Sequence, residues 1–218
     1  MAVLLALSKG ERTFLARREW VEGPWDENRK SSRDLLYDIA VNVPDLYAEF
    51  QSQSERQPDL LTRCHQLQED LHTWRKPWIE SEYPNVPQYP ETPSYLPHPS
   101  LFPTNDFSYM VIDYLAFLLL LTYMTAHIVP HFSPNALTLQ QTVSILRTEL
   151  QTILTLPCFG RAMSDIIGIT EGRCHSLFPL WVLSRTRPVL DVTTTCGSAE
   201  EWWSGLYGLC GRLNYGIN

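Results

Sequence analysis

The stretch Phe107-Ser-Tyr-Met-Val-Ile-Asp-Tyr-Leu-Ala-Phe-Leu-Leu-Leu-Leu-Thr-Tyr-Met-Thr-Ala-His-Ile-Val-Pro130 is the most apolar part of the chain, and its reading decides the fold. Leucine, methionine and alanine dominate Leu115 to Ala126 and favour helix, and Asp106 stands where a carboxylate can accept from the free backbone donors of a first turn. Pro130 stops the run. The uncharged core from Tyr114 to Ala126 is shorter than the roughly 20 residues a bilayer requires, and Asp113 and His127 bracket it. The reading is therefore a buried core helix over Phe107 to Val129, not a membrane span. At 100° per residue, Tyr109, Asp113, Ala116, Leu120, Tyr123 and His127 fall in one stripe. This makes Tyr109, Asp113, Tyr123 and His127 the candidate lining of a ligand pocket; the competing reading is that they bond to neighbouring helices or sit near the helix ends.

The segments on either side supply partners for such a helix. Before it, Leu60, Cys64, Leu67, Leu71, Trp74 and Trp78 alternate steps of four and three, so they share one face while Arg63, Gln66, Glu69 and Asp70 point outward. Leu35, Leu36, Ile39, Ala40 and Val43 recur at helical spacing behind a serine cap, and Pro44 suits the first turn of a following helix, where a missing N–H costs nothing. Ser8 and Glu11 have capping-box spacing, which predicts a helix from about Lys9 to Glu22, ended by Gly23-Pro24. After the central helix, Ser133-Pro134 opens another, with Leu139, Val143, Leu146, Leu150 and Ile153 on one face until Pro157. Shorter helices are expected over Cys158 to Ile169 and, capped by Ser176, over Leu177 to Ser184. Ser198 and Glu201 begin a terminal helix weakened by Gly205, Gly208 and Gly211. Pro84, Pro87, Pro90 and Pro93 repeat every third residue, the turn length of polyproline II, so residues 80–106 read as an extended connector.

Several of these segments, taken in order, resemble a known pattern. Phe14-Leu15-Ala16-Arg17-Arg18-Glu19-Trp20 with Pro24-Trp25, then Lys30 to Ile39, Val43-Pro44-Asp45-Leu46, the ladder Cys64, Leu67, Leu71, Trp74, and later Leu101-Phe102-Pro103-Thr104 and Leu177-Phe178-Pro179-Leu180 are similar to the regulatory helical domain of fungal zinc-cluster transcription factors. The resemblance covers most of the chain as a scatter of short matches. It implies a regulator of transcription, in control of fungal secondary metabolism by analogy with what such proteins govern. The six-cysteine zinc cluster and basic linker of that family are not in this sequence.

Composition bounds the chemistry. With 218 residues, 44% of them hydrophobic, and seven tryptophans, the chain can fill a sizeable core. A net charge of −7 without a lysine or arginine run removes the electrostatic basis for independent DNA or RNA binding. Five widely spaced cysteines with no C-x-x-C pair suit reduced thiols in an intracellular protein, nuclear or cytoplasmic, and give no zinc site. The apolar run Ala2 to Leu7 is too short for a signal peptide. His127 and His131 stand four apart, but Pro130 interrupts the helix that would align them, so no metal is assigned. Gly205, Gly208 and Gly211 lack the order of a dinucleotide loop, Cys174-His175 are neighbours whose side chains diverge, and no cofactor is expected.

Together these readings give an all-α single domain, residues 1–218, of about eight helices crossed by one proline-rich connector. Two functions stay open. The first is a non-catalytic regulator without a DNA-binding module, acting through protein partners or a small effector. The second is a helical pocket protein or enzyme for an apolar metabolite, lined by Tyr109, Asp113, Tyr123 and His127; Asp113 and His127 would lie about 21 Å apart, too far to act on one atom.

Overall fold

The computed structural model describes residues 2–23, 29–52, 57–82, 105–129, 133–155 and 178–186. Seven α-helices run through them: α1 (Ala2–Lys9), α2 (Arg18–Val21), α3 (Ser32–Ala40), α4 (Val43–Gln51), α5 (Gln57–Glu82), α6 (Asn105–Ile128) and α7 (Ala136–Thr155), with a 3-10 turn at Phe14–Ala16. A further helical segment occupies 178–185. No strand occurs among the described residues, and the fold is all-α. The chain divides into two units, Met1–Thr186 and Arg187–Asn218, and every described residue belongs to the first. The expected connector between α5 and α6, the helix over Cys158 to Ile169 and the terminal helix fall outside the described residues, save the ends of α5 and α6 that reach into 80–106.

The central helix is α6, and its composition explains its place. A helix that is apolar all round must be covered all round. Here α5 and α7 make the most extensive contacts with it, and α3 and α4 pack against it as well. Every residue from Val111 to Leu121 is buried as a result. Length and composition alone would let Tyr109–Ile128 cross a membrane, yet 83% of its most apolar window is buried inside the protein. Each fully buried leucine in that run contributes about 1.5–3 kcal/mol relative to exposure. The helix begins at Asn105, so Asp106 lies in the first turn instead of at the cap, a shift of the size by which helix ends commonly differ.

The flanking helices present the expected faces. On α5, Leu60, Cys64, Leu67, Leu71 and Trp74 are buried, and the Trp74 indole Nε1 donates to the Ser32 carbonyl at 2.8 Å, tying α5 to the start of α3. On α7, Val143, Leu146, Leu150 and Ile153 are buried. The segment 178–185 closes over the other side: the Phe178 ring lies 4.4 Å from that of Phe117, and Trp181 meets Tyr47 edge-on at 5.3 Å.

Helix α3 starts with a full capping box. The Ser31 hydroxyl accepts from the Asp34 N–H, and the Asp34 carboxylate accepts from the Ser31 N–H at 2.9 Å, so two orphan donors are satisfied. Leu36 and Ala40 are buried, as is Val43 at the start of α4, but Leu35 is 46% exposed and does not join the core. The spacing marks Leu35 and Leu36 alike, but adjacent helical positions point about 100° apart, and here Leu36 turns to the interior.

The N-terminal segment differs from expectation. The single helix expected over Lys9 to Glu22 is replaced by α1, which ends at Lys9, the 3-10 turn and the short α2. Gly10 is the reason: with φ of 66° it ends α1, its N–H donates to the Leu7 carbonyl, and the Glu11 N–H donates to the Ala6 carbonyl at 2.9 Å. These two bonds form the Schellman closure of a helix. The Ser8–Glu11 spacing straddles a helix end instead of opening a helix. Gly10→Ala is expected to lower stability by about 1 kcal/mol, because an L-residue at that φ is strained. The new Cβ would also stand 2.6 Å from the Gln51 Oε1, although that side chain end can move. A thermal melt of the variant against wild type checks this; an unchanged midpoint would mean the turn tolerates a side chain.

Candidate functional site

The stripe expected to line a pocket is split by burial into two ends. Tyr109 and Asp113 are 5% and 3% exposed and belong to the interior, Tyr123 is half-buried, and His127 is exposed.

At the inner end, the Tyr37 hydroxyl on α3 donates to the Asp113 Oδ2 at 2.7 Å. Burial pushes the Asp113 carboxyl up to about 6; the Tyr37 hydrogen bond and the positive charge of Arg33 partly oppose it. The same burial, with the negative charge and hydrogen bond of Asp113, holds the Tyr37 phenol well above its ordinary range. The Arg33 guanidinium lies 6.0 Å over the Tyr37 ring, so one turn of α3 places a donor and a cation opposite the carboxylate. A buried carboxyl so engaged is a tie between α3 and α6. Its raised affinity for a proton is the ordinary result of removing a charge from water.

At the outer end, His127 Nδ1 lies 2.9 Å from the Tyr123 carbonyl, one helical turn back. The two rings stand 4.0 Å apart, and Phe50 from α4 meets Tyr123 edge-on at 6.4 Å and His127 at 6.1 Å. These contacts form an aromatic cluster that pins the end of α6 to α4. The structure brings Tyr123 and His127 together, and it leaves Asp113 with a different set of neighbours, nearly three helical turns from Tyr123 and nearly four from His127.

Other polar groups around α6 are also engaged. Thr122 donates to the Leu118 carbonyl at 2.7 Å and accepts from Gln68 of α5 at 3.0 Å. The Tyr114 hydroxyl lies 3.1 Å from His72 Nδ1, and burial lowers the His72 pKa below the usual imidazole range. Arg147 on α7, 8% exposed, donates to the Leu183 carbonyl at 2.7 Å and to the Thr186 hydroxyl at 3.3 Å, capping the segment 178–185. Sequence periodicity could have raised Arg147, since it is four residues from Val143 and adjacent to Leu146. No sequence signal pairs Tyr37 with a residue 76 positions away.

Burial pushes the Cys64 thiol up to about 12, which leaves it protonated and unreactive at neutral pH. Among the described residues no three His, Cys, Asp or Glu side chains are grouped to hold a metal ion, and His131 lies outside them.

The surface offers a different feature. Phe14 and Trp20 are 51% and 52% exposed, and their rings pack edge to face with centroids 5.4 Å apart. They sit on the 3-10 turn and α2, and the residues just before them bind α4: the Thr13 N–H donates to Asp45 at 3.3 Å, and Arg12 pairs with Glu49 at 3.7 Å. Two large aromatic rings are thus held together while half open to solvent.

Comparison with protein-family models, with curated proteins and with solved structures finds no significant match to this chain.

Proposed function

We propose that the protein is a non-catalytic regulator, similar to the helical regulatory domain of fungal zinc-cluster transcription factors but without their DNA-binding module, and that it acts through protein partners. The observation that carries this reading over the enzymatic one is the Tyr37–Asp113 bond: the titratable group best suited to chemistry on the central helix already holds two helices together. The ladder Cys64, Leu67, Leu71, Trp74 and the pair Leu36 and Val43, on which the resemblance draws, are core positions that build the scaffold. Phe14 and Trp20, drawn from the same resemblance, are presented to solvent. A net charge of −7 argues against direct contact with DNA, whose phosphates would repel it. The fungal secondary-metabolism setting belongs to this proposal through the resemblance alone.

A tethering experiment tests it. The full chain fused to a heterologous DNA-binding module is expected to change transcription of a reporter carrying that module's sites, while the unfused protein shows no salt-dependent binding to duplex DNA. An inert fusion, or tight duplex binding with a steep salt slope, would overturn the proposal.

A further inference from the structure

The aromatic cluster at the outer end of α6 belongs to a longer row of rings. Tyr47 of α4 lies 6.3 Å from Phe50 and meets Trp181 edge-on at 5.3 Å, so Trp181, Tyr47, Phe50, Tyr123 and His127 follow one another across α4, α6 and the segment 178–185. Tyr47 is buried, whereas Phe50, Tyr123 and Trp181 are half-buried and His127 is exposed. At the Trp181 end the Arg185 guanidinium stands 5.8 Å from the indole centroid. Arg185 is exposed and forms no ion pair among the described residues. Its charge reaches the row: burial raises the Tyr47 pKa and Arg185 opposes that rise, with no carboxylate among the described groups that act on it. Carboxylates on the elements that form the row are turned away or absent. Asp45 and Glu49, the acidic residues of α4, each stand two positions from Tyr47, which puts them about 160° round the helix from it. Asp45 accepts from the Thr13 N–H, and Glu49 pairs with Arg12 and Arg63. Helix α6 has no acidic residue after Asp113, and Arg185 is the one charged residue in 178–186. Midway along the row, the Tyr123 hydroxyl makes no hydrogen bond among the described residues, and burial alone raises its pKa.

We infer that this row binds a flat, apolar carboxylic acid, with the carboxylate on Arg185 and the body against the half-buried rings of Trp181 and Phe50, toward the Tyr123 hydroxyl. The ligand would be a small effector; the site does not rest on the regulatory reading and stands or falls without it. The chemistry has three parts. A guanidinium is a planar fork of donors that matches a carboxylate with two parallel hydrogen bonds, and this one has no acidic partner to displace. Half-open aromatic rings receive a flat apolar body by offset stacking or edge-to-face contact. Aromatic faces alone would also attract a cation, but Arg185 on the indole sets the opposite sign at that end of the row. The single charged anchor limits the ligand to one carboxylate, because nucleic acids and other polyanions are held by several cations together. The anchor is also held in place. Arg147 donates to the Leu183 carbonyl and the Thr186 hydroxyl on either side of Arg185, so the backbone that carries the guanidinium is fixed before a ligand arrives.

The test uses the full-length protein and two probes of the same shape, 2-naphthoate and the neutral 2-naphthamide, titrated by calorimetry. Wild type is expected to bind the acid about tenfold more tightly than the amide, the difference a hydrogen-bonded charge pair supplies. Arg185→Gln should bring the acid down to the affinity of the amide and leave the amide unchanged, with the melting temperature within a degree or two because the side chain is exposed. Phe50→Ala should weaken both probes alike, which separates the ring contact from the charge contact. No binding of 2-naphthoate by wild type would overturn the site, as would equal affinity for the two probes, or a preference for the acid that survives in Arg185→Gln. The two proposals fail separately. An inert tethered fusion whose acid binding still depends on Arg185 removes the regulatory reading and keeps the site; an active fusion that shows no preference for the acid does the reverse.

Discussion

Leu118→Asp is expected to abolish the cooperative thermal melt of the purified protein. Leu118 is 2% exposed at the middle of α6, and its carbonyl also receives the Thr122 hydroxyl. Replacing it with aspartate removes a buried apolar side chain, worth about 2–5 kcal/mol by analogy with truncation to alanine, and leaves a charge with no partner inside the core. That uncompensated charge costs a further several kcal/mol. A domain's whole stability is about 5–15 kcal/mol, so the sum is of the size that unfolds it. Leu137→Asp is the control: Leu137 lies on the next helix but is 66% exposed, and the same chemical change there should move the melt very little. Far-ultraviolet circular dichroism against temperature for both variants decides the matter. A sharp transition retained by Leu118→Asp would mean that α6 is not enclosed by its neighbours.

The features legible in the sequence were those that a period fixes. The four-three rhythm of α5 and α7 and the all-round apolarity of α6 each demand one environment, and the packing supplies it: one buried face on α5 and α7, burial all round for α6. The all-α architecture followed from these three helices. Local patterns were less decisive where two signals competed. Ser8 and Glu11 carry the spacing of a helix start, but Gly10 between them takes a left-handed φ and closes a helix that has already formed. Leu35 fits the apolar rhythm as well as Leu36, yet adjacent positions on a helix point about 100° apart, and it is Leu36 that is buried. The candidate site was legible as a set of positions and not as an arrangement. A helical wheel places Tyr109, Asp113, Tyr123 and His127 on one stripe; it does not say that α3 delivers Tyr37 to Asp113 or that α4 delivers Phe50 to His127. Those partners come from separate segments of the chain, and only tertiary packing brings them together.

The Asp113–Tyr37 bond makes a pH prediction of definite sign. The folded-state pKa of Asp113 is pushed up to about 6, against an ordinary value of 3.8. Between those two values the native protein keeps a proton that the unfolded chain has lost, so stability falls as pH rises through this window. The stabilisation associated with the neutral carboxyl is fully present below the unfolded value and is gone above about pH 6. A rise of that size corresponds to about 3 kcal/mol. Because other carboxylates titrate in the same range, the measurement is the difference in unfolding free energy between wild type and Asp113→Asn across pH 4 to 8. The asparagine cannot ionise and keeps an oxygen to accept from Tyr37, so the variant should gain on wild type as pH rises, with the gain levelling off above about pH 6.5. Tyr37→Phe should act in the opposite direction. It deletes the donor that, after burial, most influences the carboxylate, and hydrogen bonds to charged groups contribute about 1.5–3 kcal/mol. Its loss of stability should therefore be larger at pH 7.5 than at pH 4.5, where a neutral carboxyl needs the donor less. The Arg33 charge, also on α3, still favours the ionised carboxylate in Tyr37→Phe, so part of the opposition to burial survives in that variant. Parallel curves for wild type and Asp113→Asn at every pH would mean that Asp113 ionises as it does in water, and the tie between α3 and α6 would then have to be sought in apolar packing alone.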